Sequence, residues 1–486
     1  MPKVKILIIG ESDYSIKRPL DDLPKCKNDI KVMKMAFVTG LCIPEENINI
    51  RENLDSKAEL FSAIDNSTKD IMDDDIFILY FTGHGGENYL CLCEENIKYE
   101  EIVKQIRVNN VKTAVFMMDC CHSGSFFIDS NINSNIDNWF DNFAEKGYAL
   151  FASCGSSETC GFAYGLNVSS YTYLLFTTLT ILSSINNGKI SLEEINNAIT
   201  VINKNQNIND VRPIFKSNIV GTIYFDISKE IPKNVQKEII YLDRCIIYNI
   251  NDNKVNGIIR RTLHIVSKIN LNETNAKNMF FNDIQNALKK RDCRLSKESP
   301  NIIFCFLGEC EQDILHCNFK FRIIWADANY PLCQNEKFSI TCNEYFQSYK
   351  NSKVMSGKEA RILLDKDVDN ITQLAEEYLC KYNKYCNKEI ILTEKEFISS
   401  MSNINDKIDE FEVNYKYQKL VPPILDEYAN EVSNLVSAIV QFKYIYNNKY
   451  ANKRDSQSRW IEINRVKELY QKRVTNIRRI RETLDK

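Results

Sequence analysis

Short apolar segments alternate with helical periodicity over residues 4–226, and this alternation restricts the possible folds more than any other feature. Such alternation is typical of a parallel sheet covered on both faces by helices. We predict strands at residues 4–9, 76–81, 113–118, 148–152 and 222–226, and a hairpin arm at 89–93. The predicted helices cover residues 27–38, 57–66, 99–108 and 171–185.

A chain of 486 residues is too long for one ordinary core. We predict a mostly parallel α/β sheet with helices on both faces in residues 1–230, a smaller α/β or α+β unit in 238–350 and a helical C-terminal region in 356–486. The smaller unit is predicted to contain strands at 239–241, 302–307 and 319–325 and a helix at 278–290. A polar loop at 124–147, a linker at 227–237 and a helix break at 422–423 complete the prediction.

Two motifs follow neighbouring predicted strands. Phe-Thr-Gly-His-Gly-Gly occupies residues 81–86, and Asp-Cys-Cys-His-Ser-Gly occupies residues 119–124. Reactive groups gather at the carboxyl ends of parallel strands, so these motifs are expected to lie side by side. A thiol is a weak nucleophile until a base removes its proton, and histidine is the usual base. Since two of only four histidines lie in these motifs, the pattern predicts a thiol–imidazole pair.

The two motifs, their order and their strand context resemble those of the caspase-fold cysteine peptidases. The resemblance is closer to metacaspases and their bacterial relatives than to animal caspases, whose Gln-Ala-Cys-x-Gly signature is absent. It covers about the first 226 residues and implies a cysteine endopeptidase. It also implies that Cys121 is the nucleophile, that His84 is the base, and that the backbone N–H groups of Gly85 and Cys121 form the oxyanion hole.

Cys120 is the alternative nucleophile. Neighbouring side chains of an extended segment point to opposite sides, and the resemblance places the reactive thiol directly before His122. Cys121 is therefore favoured, and His122 is predicted to be a structural contact. The alternative for His84 is a hydrogen-bonded imidazole without a catalytic role.

The resemblance further implies a specificity pocket. In metacaspases this pocket is lined by a Cys-x-x-Asp after the first strand, a small hydroxyl residue two positions before the catalytic His, and the Asp two positions before the nucleophile. The matching residues are Cys26, Asp29, Thr82 and Asp119. Two carboxylates select a cationic side chain, and a guanidinium can bind them bidentately, so cleavage after Arg, and second after Lys, is expected.

Other assignments for this region remain open. Ser156, together with Ser153 and Ser157, is predicted to border the cleft, although small polar residues are ordinary in loops. Asp29 could instead be a carboxylate stabilised by a helix N-terminus, and Asp119 could be a strand-end cap.

The chain departs from metacaspases in two places. The acidic Gly-Asp-Glu-x-Asp-Gly insertion after the His is missing, which argues against a Ca²⁺ requirement, and no cofactor is expected. Residues 125–145 contain no Lys or Arg, so self-processing between the two halves is not expected, although Lys146 offers one basic site.

Residues 238–486 are more than a peptidase needs, and we expect them to sense an activating small-molecule messenger or partner protein. Caspase-fold domains fused to unfamiliar C-terminal regions resemble effectors of bacterial antiphage defence, whose substrates are proteins or peptides. The alternatives are a catalytically silent scaffold that binds partners and a different thiol chemistry, such as acyl transfer, on the same sheet.

Composition excludes several other classes. The net charge of −3 gives no general attraction to nucleic acid or acidic membranes, and no apolar run is long enough to cross a bilayer. Together with the absence of a secretion signal, this predicts a cytoplasmic protein. The 17 cysteines are expected to be mostly reduced.

Two local patterns allow an alternative interpretation. A zinc site is a weaker alternative, because Cys91-x-Cys93 and Cys305-x4-Cys310 before His316-Cys317 lack paired CxxC spacing. Residues 453–486 carry eleven Lys or Arg and five Asp or Glu, which indicates a solvated helical face or, alternatively, an anionic partner.

Overall fold

The structure is a computed structural model. It describes residues 2–121, 123, 147–155, 158, 161–163, 165–186, 188–206, 208, 211–228, 239–255, 258–295, 299–315, 319–327, 337–342, 354–415, 421–447 and 455–485. The predicted 124–147 loop, apart from Gly147, and most of the predicted 227–237 linker lie outside these residues.

A six-stranded sheet forms the centre of the first part of the chain. Its strands are β1 (Val4–Gly10), β2 (Ile48–Glu52), β3 (Ile76–Thr82), β7 (Thr113–Asp119), β8 (Gly147–Ala152) and β10 (Ile214–Ser217). The order is β10-β8-β7-β3-β1-β2, and every pairing is parallel except that of β10 with β8. This confirms the predicted mostly parallel α/β class.

Helices cover both faces of this sheet, namely α1 (Cys26–Met35), α2 (Lys57–Thr68), α3 (Tyr99–Val108), α4 (Ser170–Ile185) and α5 (Leu192–Gln206). Successive strand residues point to opposite faces, so Ile6 and Ile8 join one apolar core and Leu7 and Ile9 join the other. The first core includes residues of α1, α4 and α5, and the second includes residues of α2 and α3.

The sequence-based assignment differs from the structure in several places, and it missed β10 at the edge of the central sheet and helix α5 altogether. The strand predicted at 222–226 corresponds to β11 (Tyr224–Asp226), which pairs antiparallel with β9 (Lys189–Ser191) outside the central sheet. Strand β2 was missed because it is a partly exposed edge strand with a polar sequence, and such a strand lacks the apolar run of a central one. After β3 the chain forms a small sheet of β4 (Gly85–Gly86), β5 (Tyr89–Cys91) and β6 (Asn96–Lys98).

A second six-stranded sheet follows. Its strands are β12 (Ile240–Tyr241), β13 (Cys245–Val255), β14 (Ile258–Ser267), β15 (Ile302–Gly308), β16 (Phe321–Ala326) and β17 (Lys337–Cys342). They lie in chain order, and only β14 and β15 run parallel. The connection between those two strands carries α6 (Glu273–Met279) and α7 (Gln285–Leu295), and α8 (Glu311–Leu315) follows β15. The sequence analysis missed β13, β14 and β17, because polar residues interrupt their apolar pattern.

The last part of the chain is helical. Its helices are α9 (Gly357–Cys386), α10 (Glu394–Ser400), α11 (Ser402–Asn414), α12 (Asp426–Val440) and α13 (Ser456–Asp485). A turn of 3₁₀ helix at Pro423–Leu425 precedes α12, at the predicted helix break. Among the described residues, no helix is both long enough and apolar enough to span a membrane.

Helix α13 contains most of the basic segment noted in the sequence. Its Ile463, Val466 and Tyr470 are buried in the helical core. Several of its arginines form ion pairs within the helical region, including Arg473 with Glu431 and Arg459 with Glu394. These contacts favour a paired and solvated helical face over a site for an anionic partner.

Candidate active site

The register of β3 and β7 brings the two sequence motifs to the same edge of the sheet. Thr82 is paired with Asp119, and the Gly83 N–H donates a 3.3 Å hydrogen bond to the Asp119 carbonyl. His84 and Cys121 each lie two residues beyond this last pair. They therefore occupy equivalent positions at the carboxyl ends of adjacent parallel strands.

Gly85 allows the backbones of the two motifs to pack closely together. A Cβ atom at this position would lie 2.7 Å from the Cys121 carbonyl oxygen and 2.9 Å from the Cys120 sulfur. Only glycine allows the backbone after His84 to pack this closely on the cysteine pair. A larger residue here would separate the imidazole from the thiols.

Two contacts orient His84. Its backbone N–H donates to the hydroxyl of Tyr14 at 2.9 Å, and its Nε2 lies 2.9 Å from the carbonyl oxygen of Asp21. A carbonyl oxygen can only accept, so Nε2 carries the proton in this hydrogen bond. The neutral ring then holds its lone pair on Nδ1, which is the atom available to accept a proton.

The two adjacent cysteines have different environments. Cys120 is 2% exposed, and its sulfur lies 3.9 Å from the hydroxyl of Tyr99. Burial raises the pKa of the Cys120 thiol well above its ordinary value, which keeps it protonated and unreactive. Cys121 is partly exposed at the sheet edge. This difference favours Cys121 as the reactive thiol.

The predicted pocket residues lie together at the ends of α1, β3 and β7. The Thr82 hydroxyl donates to Asp29 at 2.8 Å and lies 3.3 Å from the Cys26 sulfur. Asp119 is the register partner of Thr82 on the neighbouring strand. All four side chains are buried, and Asp29 and Thr82 are fully so.

Burial dominates the electrostatics of the two acids. It raises the pKa of Asp29 to about 6. It also raises the pKa of Asp119 well above its ordinary value, with a further contribution from the charge of Asp29. Neither carboxyl forms an ion pair with a described Lys or Arg, and the nearby Lys25 donates to the Leu166 carbonyl at 3.0 Å.

The hydrogen-bond donors to these acids were missed by the sequence analysis. Ser169, the residue preceding α4, donates its backbone N–H to Asp29 at 2.8 Å and also donates its hydroxyl. Thr172 donates its N–H and its hydroxyl to Asp119 at 3.0 and 2.7 Å. The available signal was the Ser-Ser pair before the predicted helix at 171–185, which is typical of a helix N-terminus.

Several other predicted positions can be placed. Ser153 is fully buried and donates to the Cys120 carbonyl at 3.1 Å, so it supports the backbone under the cysteines and does not border the cleft. Ser156, Ser157 and His122 lie outside the described residues.

The zinc alternative gains no support from the cysteines that the structure describes. The Cys93 thiol donates to Glu11 at 3.1 Å. Across the described ranges, no three His, Cys, Asp or Glu residues gather as a metal-binding group. His316 and Cys317 lie outside those ranges.

A comparison with family models agrees with this architecture. Residues 3–214 match the model of the peptidase C14 family, described as the caspase domain. The match begins just before β1 and ends at the first residue of β10, so it covers the other five strands of the central sheet. No curated protein is detectably similar to the chain.

Residues 3–214 therefore have the fold of a caspase domain and match its family model, which supports a cysteine peptidase in general. A match to a peptidase family implies protein or peptide substrates. The rest of the 486-residue chain lies outside the match.

Proposed function

We propose that the protein is a cysteine endopeptidase, close to metacaspases, that cleaves peptide bonds after Arg and, less well, after Lys. The paired buried carboxyls of Asp29 and Asp119 carry this proposal. Burying two acids next to each other is costly unless a cation offsets their charge. A guanidinium at the base of the pocket supplies that charge and can bind both acids through its planar donors.

His84 and Cys121 supply the chemistry. Nδ1 of His84 accepts the Cys121 thiol proton, and the sulfur attacks the scissile carbonyl carbon. The C–N bond then breaks, and the leaving amine takes the proton from His84. Water hydrolyses the resulting thioester and regenerates the thiol. The backbone N–H groups of Gly85 and Cys121 are proposed to stabilise the oxyanion.

The two adjacent cysteines provide a matched test. Cys121→Ala is expected to reduce hydrolysis of an Arg-ending fluorogenic peptide by at least about 10³-fold, because the nucleophile is lost. Cys120→Ala should retain most of the activity, because the buried Cys120 thiol does not react. An arginyl chloromethyl ketone should label the wild type and Cys120→Ala but not Cys121→Ala.

Substrate preference is measured on the same proteins. Peptides ending in Arg, Lys, Asp and Leu are compared, and the expected order of kcat/KM begins with Arg and then Lys. A preference for Asp or Leu would overturn the assigned specificity. A wild type that neither hydrolyses these peptides nor is labelled would favour the silent scaffold.

Control by residues 238–486, and a role as an effector of antiphage defence, extend the proposal. The second rests on the resemblance to bacterial caspase-fold proteins, and neighbouring genes of a defence cluster would support it.

A further inference from the structure

A loop between β8 and α4 touches both the predicted specificity pocket and the helical region. We call residues 161–169 the pocket loop; residue 164 lies outside the described residues. Phe162 pairs with Ser169 in an antiparallel bridge, and the Ala163 N–H donates to the Val168 carbonyl at 3.0 Å. The loop is therefore folded on itself and leads directly into α4.

One end of the pocket loop, with the start of α4, holds the acids in place. Ser169 donates its N–H and its hydroxyl to Asp29, and Thr172, in the first turn of α4, donates the same two groups to Asp119. A shift of the pocket loop would move or break the bonds to Asp29 first. Bidentate binding of a guanidinium requires the carboxyl groups to be placed to within a fraction of an ångström.

Polar contacts attach the other side of the pocket loop to the helical region. Arg361 of α9 is 6% exposed, and its guanidinium donates to the Gly165 carbonyl at 3.3 Å. The same group donates to Asp365 at 2.8 Å and to Asp485, near the end of α13, at 3.0 Å. The Asn167 amide donates to the Thr483 carbonyl of α13 at 3.2 Å.

Apolar packing reinforces these bonds. Four residues of the pocket loop and α4 belong to the same apolar core as α9, α12 and α13, namely Ala163, Leu166, Val168 and Tyr173. A Cβ atom on Gly357, the first residue of α9, would lie 2.6 Å from Leu166 Cδ1. The helical region thus holds the pocket loop by close packing as well as by hydrogen bonds.

We propose that the helical region sets the specificity pocket through the pocket loop, and that Arg361 is a positioning residue for recognition of Arg at the cleavage site. Arg361 donates a hydrogen bond to Gly165 of the pocket loop. Ser169, at the end of the same loop, donates the hydrogen bonds that orient Asp29. The inference rests on the proposed Arg-directed peptidase activity. It assigns part of the substrate specificity to residues outside the caspase domain.

The experiment uses the full chain, because removing the helical region would expose Leu166 and Tyr173. Arg361→Ala should raise KM for an Arg-ending peptide by about tenfold with kcat nearly unchanged, because binding is weakened and not the chemical step. The preference for Arg over Lys should fall as well, since bidentate binding is lost.

Arg473→Ala is the matched control. Arg473 donates to Glu431 at 3.1 Å within the helical region and is not in contact with the pocket loop in any described bond. It should leave KM and the Arg/Lys ratio unchanged. Asn167→Ala, a milder change on the pocket loop, should move KM in the same direction as Arg361→Ala.

Amide hydrogen exchange distinguishes a local change in the pocket loop from unfolding of the whole domain. Arg361→Ala should speed exchange over residues 161–172 and leave β1 and β3 protected. If the wild type hydrolyses Arg peptides but Arg361→Ala and Asn167→Ala keep the wild-type KM and Arg/Lys ratio, the inference is wrong and the proposed function stands. If the wild type neither hydrolyses nor is labelled, both fail together.

Discussion

The backbone N–H of His84 donates a 2.9 Å hydrogen bond to the hydroxyl of Tyr14, and that hydroxyl donates to the Cys91 carbonyl at 3.0 Å. The Tyr14 ring also packs edge-on against the imidazole, with ring centroids 4.8 Å apart. Tyr14 is fully buried just after β1. It therefore ties the backbone at His84 to both the central and the small sheet.

Tyr14→Phe should lower kcat by roughly tenfold and change KM little, because one misplaced hydrogen bond at the base costs about that much. The phenylalanine keeps the ring contact and removes the hydroxyl alone. Steady-state kinetics with an Arg-ending peptide measure the effect. Tyr378→Phe deletes a comparable buried hydroxyl, bonded to the Phe442 carbonyl at 2.8 Å, and should leave kcat unchanged.

Substrate binding should depend on pH through Asp29. Its pKa of about 6 means that it is largely protonated at pH 5 and ionised at pH 7.5. Since a guanidinium binds the ionised acid, KM for an Arg-ending peptide should fall as the pH rises through this range. The measurement is KM from pH 5 to 8 for wild type and Asp29→Asn. A wild-type KM that does not vary over this range would contradict the assignment.

Glu11 should make the fold less stable at high pH. It is fully buried, it accepts a hydrogen bond from the Leu54 N–H at 3.0 Å, and burial raises its pKa to about 8 from an ordinary 4.5. The folded state therefore binds more protons than the unfolded state between these values. Its contribution to stability is complete below pH 4.5 and is lost as the pH rises through 8.

Glu11→Gln removes this titration and retains an amide oxygen for Leu54. The urea midpoint of the variant should exceed that of the wild type at pH 8.5, and the gain should shrink at pH 5. Glu46→Gln changes an exposed residue and serves as the control. An equal gain at both pH values would show that the charge of Glu11 is not responsible.

Arg261 should be essential to the second sheet. It is fully buried and donates to Asp252 at 2.7 and 2.8 Å and to Asp292 at 2.9 and 3.1 Å. Arg261→Met removes the buried guanidinium from both acids, which should cost about 3–5 kcal/mol in the free energy of unfolding. Urea denaturation measures this cost. Arg260→Met, on the exposed neighbour, should cost far less.

The local sequence pattern was sufficient to predict the central strands of the first sheet. Strands β1, β3, β7 and β8 were predictable because buried central strands read as continuous apolar runs. Strand β2, on the edge, and β14, with a buried arginine, were not, because their side chains find polar partners or solvent that no local pattern records.

The same division applies to the candidate site. The motif spacing, together with a resemblance, led to Cys26, Asp29, Thr82 and Asp119, and the structure brings these residues together. The donors Ser169 and Thr172 come from a distant helix start, and Tyr14 bonds to His84 across the sheet edge. Such contacts depend on how elements pack, so spacing alone does not predict them.

Strand periodicity and motif position are local properties, so the order of the amino acids was sufficient to predict the class of the first domain and to place His84 and Cys121 at strand ends. Three features became visible only in the folded chain: one cysteine is buried and the other partly exposed, the donors Ser169 and Thr172 lie at the start of α4, and Arg361 contacts the pocket loop. Each of these depends on residues far apart in the chain meeting when their apolar faces pack together.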